Sequence, residues 1–454
     1  MNLPSIIALI FIFSGCSPAL KDQTPTTKPI SPTAIEAAIH QHLDHFYPAL
    51  FDSINGGYYT NLDFDWTRSK NQDKMLVTQA RDLWMASMAA QTFPANDLYQ
   101  KAAKHGYEFI TQKMWDNEKG GFHLNYSITN TQKKEQYKLL YGNAFVLFAL
   151  AEYSKIDSSL ALRQWMTKSF NWMEENAHDN KFGGYFNVML TEELKTNTPE
   201  NKALIKKMGW GDPSWKDQNT SIHLLEAFTT LYRVMPEQDF QTRLKEMLIL
   251  VRDTMTRDNG SLKLYFTQDW HPIDHSDSSK AYILKNQGTD HVSFGHNIET
   301  AYLLIDASKA LYGTVDSTTL AVAKKLCDHT IRYGFDQNFY GLYDRGYIFD
   351  DQMEIIDRKK SWWAQYEAWH TLSLMSNYFP SDTVYLTAFQ NMWNYINTEL
   401  VDSTYGGQYN YGIDTAPKNR QQQKAHAWKG PYHDGRALML VWEYLKNGQL
   451  KIDN

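Results

Sequence analysis

One turn is written six times along this chain, and that repetition restricts its fold more than any other feature. Asp52-Ser53-Ile54-Asn55-Gly56-Gly57-Tyr58-Tyr59 returns as Asp116-Asn117-Glu118-Lys119-Gly120-Gly121-Phe122-His123. It returns again from Asp179 through Gly183-Gly184-Tyr185-Phe186, loosely from Asp258 to Phe266, from Asp336 to Tyr343, and from Asp402 through Gly406-Gly407-Gln408-Tyr409. The leading aspartates are 64, 63, 79, 78 and 66 residues apart. Each copy has the composition of a glycine-dependent bend followed by a short extended piece. Between the bends lie apolar patterns of helical period, such as Ala80 to Ala90, Tyr141 to Tyr153 and Ile222 to Tyr232. Two helices fit each interval. Six such pairs point to an all-α chain closed into an (α/α)6 barrel, with inner helices around a central pocket. An open solenoid is the alternative, but no obvious polar caps flank the repeats.

The barrel is expected over residues 34–450, preceded by two segments outside it. Leu3 to Phe13 is an apolar run too short to span a bilayer, and it has the length of a signal-peptide core. It leads into Phe13-Ser14-Gly15-Cys16, which resembles a bacterial lipobox. Residues 1–16 are therefore read as a signal peptide whose Cys16 is lipidated. Phe13 stands where leucine is usual, and no Lys or Arg precedes the run. Residues 17–33, rich in Pro, Thr and Lys, read as a flexible tether. This places the chain outside the cytoplasm, anchored in the periplasm or at the outer membrane of a bacterium, with the membrane reached only through lipid. The second cysteine, Cys327, is then alone, so no disulfide framework is available. A net charge of −6 without a basic patch argues against nucleic acid. The 14 Trp and 28 Tyr suit stacking against sugar faces as well as a large core.

Chemistry-bearing residues fall at comparable places in several repeats. His296 and Glu299 lie i, i+3 in Phe294-Gly295-His296-Asn297-Ile298-Glu299, in the first turns of a helix, where the carboxylate is expected to fix the imidazole's tautomer. Asn219, His223 and Glu226 line one face of another helix, with Glu226 as a structural partner. Gln79-Ala80-Arg81 opens an apolar helix and offers a guanidinium to an oxygen. Trp363 and Glu367 share a face, setting a stacking ring beside a carboxylate. In Trp428-Lys429-Gly430-Pro431-Tyr432-His433 the Gly-Pro bend positions the histidine, and a helix resumes from Arg436. No ligand-spaced metal cluster, phosphate loop or nicotinamide fingerprint occurs, so neither metal nor cofactor is expected. Zinc held by three histidines from distant repeats is the alternative.

In order and spacing, these motifs resemble the N-acylglucosamine 2-epimerase superfamily, most closely its cellobiose and mannobiose 2-epimerases. The resemblance covers the chain from about residue 35 onward and implies an (α/α)6 barrel, in agreement with the repeats. It implies that His296 and His433 form an acid/base pair across the sugar's C2, and that His223 serves ring opening. Arg81, Glu299 and Glu367 match residues that orient or polarise, with Asn219 beside them. Trp363 matches a ring needed for activity, and Trp428 one that stacks on sugar. The implied partner is a small disaccharide, isomerised through a cis-enediolate without cofactor. Tyr302, Ser221, Asn297 and Gly430 depart from the usual Trp, His, Asp and Cys, which leaves substrate choice open. Other readings are an N-acylglucosamine 2-epimerase, an aldose–ketose isomerase, a glycoside hydrolase on the same barrel, or an inactive sugar-binding lipoprotein. The oligomeric state is not encoded in these motifs.

Overall fold

The structure is a computed structural model that describes residues 29–130, 135–195 and 198–450. The signal segment, Cys16 and most of the tether lie outside the described residues.

Six inner helices carry the core: α2 (Leu76–Thr92), α4 (Leu140–Tyr153), α7 (Gln218–Val234), α10 (Phe294–Tyr312), α12 (Trp362–Tyr378) and α14 (Tyr432–Lys446). Each packs on the next, and α14 returns to α2, which closes the ring. The outer helices are α1 (Pro32–Ala49), α3 (Asp97–Phe109), α5 (Leu160–Asn176), α8 (Gln238–Ile249), α11 (Ser317–Gly334) and α13 (Thr383–Tyr395). Short excursions α6 (Pro199–Met208) and α9 (Lys280–Lys285) account for the two longest intervals between turns. The sequence pattern already separates the two layers. All of α4 is buried, whereas α3 buries only Tyr99, Ala102, Ala103, Gly106 and Phe109, the stripe of a helix with one wet face. α1 takes up Pro32 and Thr33, because Ser31 caps it and Pro32 fits a first helical turn, so the tether ends two residues earlier than expected.

Every turn follows an outer helix and leads toward the start of an inner one, so all six lie at one end of the barrel. Asp52 accepts the amides of Ile54 and Asn55 at 3.0 and 2.9 Å, while Gly56 and Gly57 take φ of +81° and +64°. A Cβ at Gly57 would come within 2.4 Å of the Gln79 amide. That amide donates to and accepts from the backbone of Tyr58, clamping the turn to α2. Asn143 and Gln365 do the same for the turns at Phe122 and Leu342, and Asn297 accepts the amide of Leu262. A lysine just ahead of the inner helix then reaches back to the turn's aspartate: Lys74–Asp52 at 2.6 Å, Lys138–Asp116 at 2.7 Å, Lys216–Asp179 at 2.8 Å, Lys360–Asp336 at 2.8 Å and Lys424–Asp402. The fourth repeat has Val292 at that place, and its Asp258 is exposed. A buried carboxylate without a cation is costly, so the two changes go together.

Small antiparallel strands complete the rim. They are β1 (Lys74–Met75) with β2 (Asn125–Tyr126), β3 (Tyr137–Leu139) with β4 (Val188–Leu190), β5 (Lys216–Asp217) with β6 (Tyr265–Phe266), and the sheet of β7 (Val292–Ser293), β8 (Arg345–Phe349) and β9 (Gln352–Asp357).

Candidate active site

Because the inner helices all start at the turn end, their first turns face one another there. They enclose a cavity of about 340 Å³ lined by Arg81, Asn219, His223, His296, Glu299, Trp363, Trp428 and His433, so the sequence-derived set converges. Glu367 is also drawn in, behind His433.

Three imidazoles share one arrangement. His223 is held through Nδ1 by Glu226 Oε2 at 3.0 Å, His433 through Nδ1 by Glu367 Oε1 at 2.6 Å, and His296 through Nδ1 by Ser293 Oγ at 2.8 Å. Each Nε2 is left without a protein partner among the described residues. The expected His296–Glu299 pair does not form. Ser293 ends β7 at the N-terminus of α10, where its hydroxyl is the nearer partner for the ring. Glu299 turns instead to Arg436, 3.1 Å away.

Arg436 is the residue that the motif reading passed over. The helix begins at Tyr432, earlier than the expected Arg436, so His433 and Arg436 occupy successive turns of α14. Only 1% exposed, its guanidinium pairs with Glu226, with Glu299 and, at 2.6 Å, with Glu367. One cation thus gathers three carboxylates from three helices, two of which orient histidines. Burial, followed by the neighbouring carboxylate Glu367, raises Glu299 to about 7; burial raises Glu367 to about 7 against the pull of Arg436. Glu299, Glu367 and His433 bring ligand atoms within 4.8 Å of one another, a spacing compatible with a metal. The guanidinium already bonded to both carboxylates supplies their counter-charge.

Burial also lowers His296 and His433, with adjacent positive charge adding to it. His296 falls to about 3, burial acting first and His223, His291, Arg81 and Arg345 reinforcing it. His433 is lowered well below the ordinary value by burial, Arg81 and Arg436. Burial thus favours the neutral form of each ring, whose Nε2 can accept a proton. Trp363 lies against both, its ring 4.9 Å from that of His296 and 5.8 Å from that of His433. Arg81 packs over Phe145 at 4.3 Å and donates to Tyr141 Oη at 3.0 Å, which fixes its guanidinium at the cavity wall. Trp428, 40% exposed, forms the rim and faces Trp210 at 5.9 Å. Neither Tyr141 nor Trp210 stands in a motif that sequence alone marks as functional.

The sequence profile of the N-acylglucosamine 2-epimerase family matches residues 57–434. The chain belongs to that family. The cellobiose 2-epimerase of Ruminococcus albus is 26% identical over 416 residues, covering 90% of this chain and 97% of that protein. The structure of cellobiose 2-epimerase from Spirochaeta thermophila aligns with a TM-score of 0.76 at 26% identity, over 92% of this chain and 98% of that one. A D-mannose isomerase structure gives the same TM-score at 21% identity over 92% of this chain and all of that one, a likeness of fold. The chain is thus a sugar epimerase of the isomerase class on an (α/α)6 barrel, as the repeats and motifs led one to expect.

Proposed function

We propose that this epimerase interconverts glucose and mannose at the reducing end of a β-1,4-linked disaccharide of the cellobiose or mannobiose type. The observation that carries the reading is the set of three imidazoles, each tied down through Nδ1, with unpartnered Nε2 atoms around one sugar-sized cavity. The relatives named cellobiose 2-epimerase supply the disaccharide.

His223 moves a proton between O1 and O5, opening the pyranose to the aldehyde, because only then is the C2 hydrogen acidic. Either His296 or His433 takes that hydrogen as a proton on Nε2. The bonding pair becomes the C1–C2 double bond of a cis-enediolate, and the charge placed on O1 is met by Arg81. The opposite imidazole, carrying a proton drawn from solvent, delivers it to the other face of C2. Ring closure completes the 2-epimer, and the two histidines have exchanged protonation states. Glu367 and Ser293 position the two rings, Glu299 and Arg436 hold that frame, Asn219 binds hydroxyls, and Trp363 and Trp428 stack on the sugar.

We also propose that Cys16 carries lipid and tethers the barrel outside the cytoplasm, on the strength of the apolar run Leu3 to Phe13 and the Ser-Gly-Cys ending. Cys16→Ala should move the protein from membrane to soluble fractions; a wild-type protein already soluble in the cytoplasm would overturn this.

Cellobiose incubated in heavy water tests the reaction. The expected product is glucosylmannose with deuterium at C2. A ketose product would place reprotonation at C1, and newly formed reducing ends would mean hydrolysis; either result overturns the epimerase reading.

A further inference from the structure

A second cavity of about 320 Å³ adjoins the first, sharing Asn219, His296, Ser361, Trp363 and Tyr411 with it. It lies beyond His296, among the starts of α7, α10 and α12, whereas Trp428 and Trp210 flank the other side. Its own lining is polar and includes the carboxylates of Asp217 and Asp344. Gln218 is 1% exposed, and its Nε2 has no hydrogen-bond partner among the described residues. The Arg345 guanidinium, on β8, makes no hydrogen bond or ion pair among the described residues. The carboxylates nearest to it are already engaged. Asp344 receives the amide and hydroxyl of Ser361 at 3.1 and 2.7 Å. Asp357, opposite Arg345 in the β8–β9 register, pairs with Lys359 at 3.4 Å. Asp217 is bound to Thr220 at the start of α7. His291 is held through Nδ1 by the Gln287 carbonyl at 2.7 Å. Lys359 adds positive charge at the rim, 5.9 Å above the Tyr411 ring.

Apart from Asn219 Oδ1, an acceptor shared with the first cavity that suits a sugar hydroxyl, the unused groups are a guanidinium and an amide donor, and a forked guanidinium matches an oxyanion. We propose that this side cavity is a subsite for an oxyanion carried by the sugar, a carboxylate or phosphate ester remote from C1 and C2, with Arg345 as its cation and Gln218 as second donor. The proposal goes beyond the neutral-disaccharide reading. It uses the continuity of the two cavities, so that one hexose reaches both.

Equilibrium titration of the intact enzyme with glucose, glucuronate and glucose 6-phosphate, at one ionic strength and pH, reads the subsite directly. At least one acid should bind about tenfold more tightly than glucose, the scale of a charge-assisted hydrogen-bonded contact. Which acid wins distinguishes carboxylate from phosphate. Arg345→Gln should bring the acid-to-glucose ratio to about one, and Arg345→Lys should keep part of it. Because the readout is a ratio, a general weakening of the fold cancels. Acids that bind no better than glucose, or an advantage that survives Arg345→Gln, would overturn the subsite. The titration needs no turnover, so an enzyme inert toward cellobiose would refute the epimerase reading and leave this measurement standing.

Discussion

The ring of turns and the central cavity are built by the same six repeats, yet they behave in opposite ways. At the turns, five repeats use one solution: an aspartate, a tight left-handed bend and a lysine that returns to close them. At the cavity, a few residues further along each inner helix, the repeats diverge: Arg81 comes from the first, Tyr141 from the second, Trp363 from the fifth, and His223, His296 and His433 from the third, fourth and sixth. The fourth repeat, which carries His296, is the one that abandons the lysine pair. The difference teaches that the turns set where each inner helix begins, and that this frees the residues one turn later to diverge. Chemistry should therefore fail without unfolding when the cavity is altered, and folding should fail without altered chemistry when the turns are.

The sharpest break comes from His433→Asn and His296→Asn. Each should lower kcat by about a hundredfold to ten-thousandfold, the range of general acid–base groups, with the melting temperature nearly unchanged. Near-normal turnover in both variants, followed by C2 deuterium exchange, would remove these residues from the mechanism.

Arg436→Met should breach the division, since it frees three buried carboxylates and releases two of the histidine supports. A loss of about 3–5 kcal/mol is expected in denaturant unfolding, together with activity. Arg436→Lys should restore little, because an ammonium lacks the fork that meets three partners. A stable, active Arg436→Met enzyme would show that the carboxylates do not depend on it.

Lys74→Met lies on the other side of the comparison. It strands Asp52 and should cost about 3 kcal/mol of stability, while kcat of the folded fraction stays within about twofold. Adding Asp52→Asn should return part of the loss. A selective fall in kcat would mean that the turn layer reaches into the chemistry.

The smallest effect is one of pH. The folded value of His296, about 3, lies below its ordinary 6.5, so the unfolded chain binds a proton in that interval that the folded chain refuses. This contribution to stability is present above about 6.5 and is lost as the pH falls toward 3. Glu299 and Glu367, raised to about 7 from 4.5, act in the opposite sense between those values. His296→Asn should therefore lessen the fall in melting temperature on acidification relative to wild type. An unchanged slope would mean that the ring is not buried neutral.

Much of this was legible before any coordinates. The turn chemistry repeats, the helical period is strong, and His223, His296 and His433 each stand near a helix start with marked neighbours. What escaped was of two kinds. Tyr141 and Trp210 carry no motif, since an aromatic residue near a helix start or in an excursion looks like packing. The lysine pairs were hidden by distance: the partners lie 22 to 37 residues apart, as Lys74–Asp52 and Lys216–Asp179 show, and a single exposed lysine looks the same in a sequence.

By itself the sequence determined the number of hairpins and the helices that bear the histidines, because turns and helical faces are made by residues close along the chain. Only the tertiary structure decided which side chain supports which. The i, i+3 spacing made Glu299 a natural partner for His296, yet Ser293 took the ring and Arg436, 137 positions away, took the carboxylate. A buried carboxylate gains more from a full positive charge than from a neutral imidazole, so it turns toward whichever cation the barrel's closure brings near. That cation is on the last inner helix, and only closing the ring places it beside the fourth.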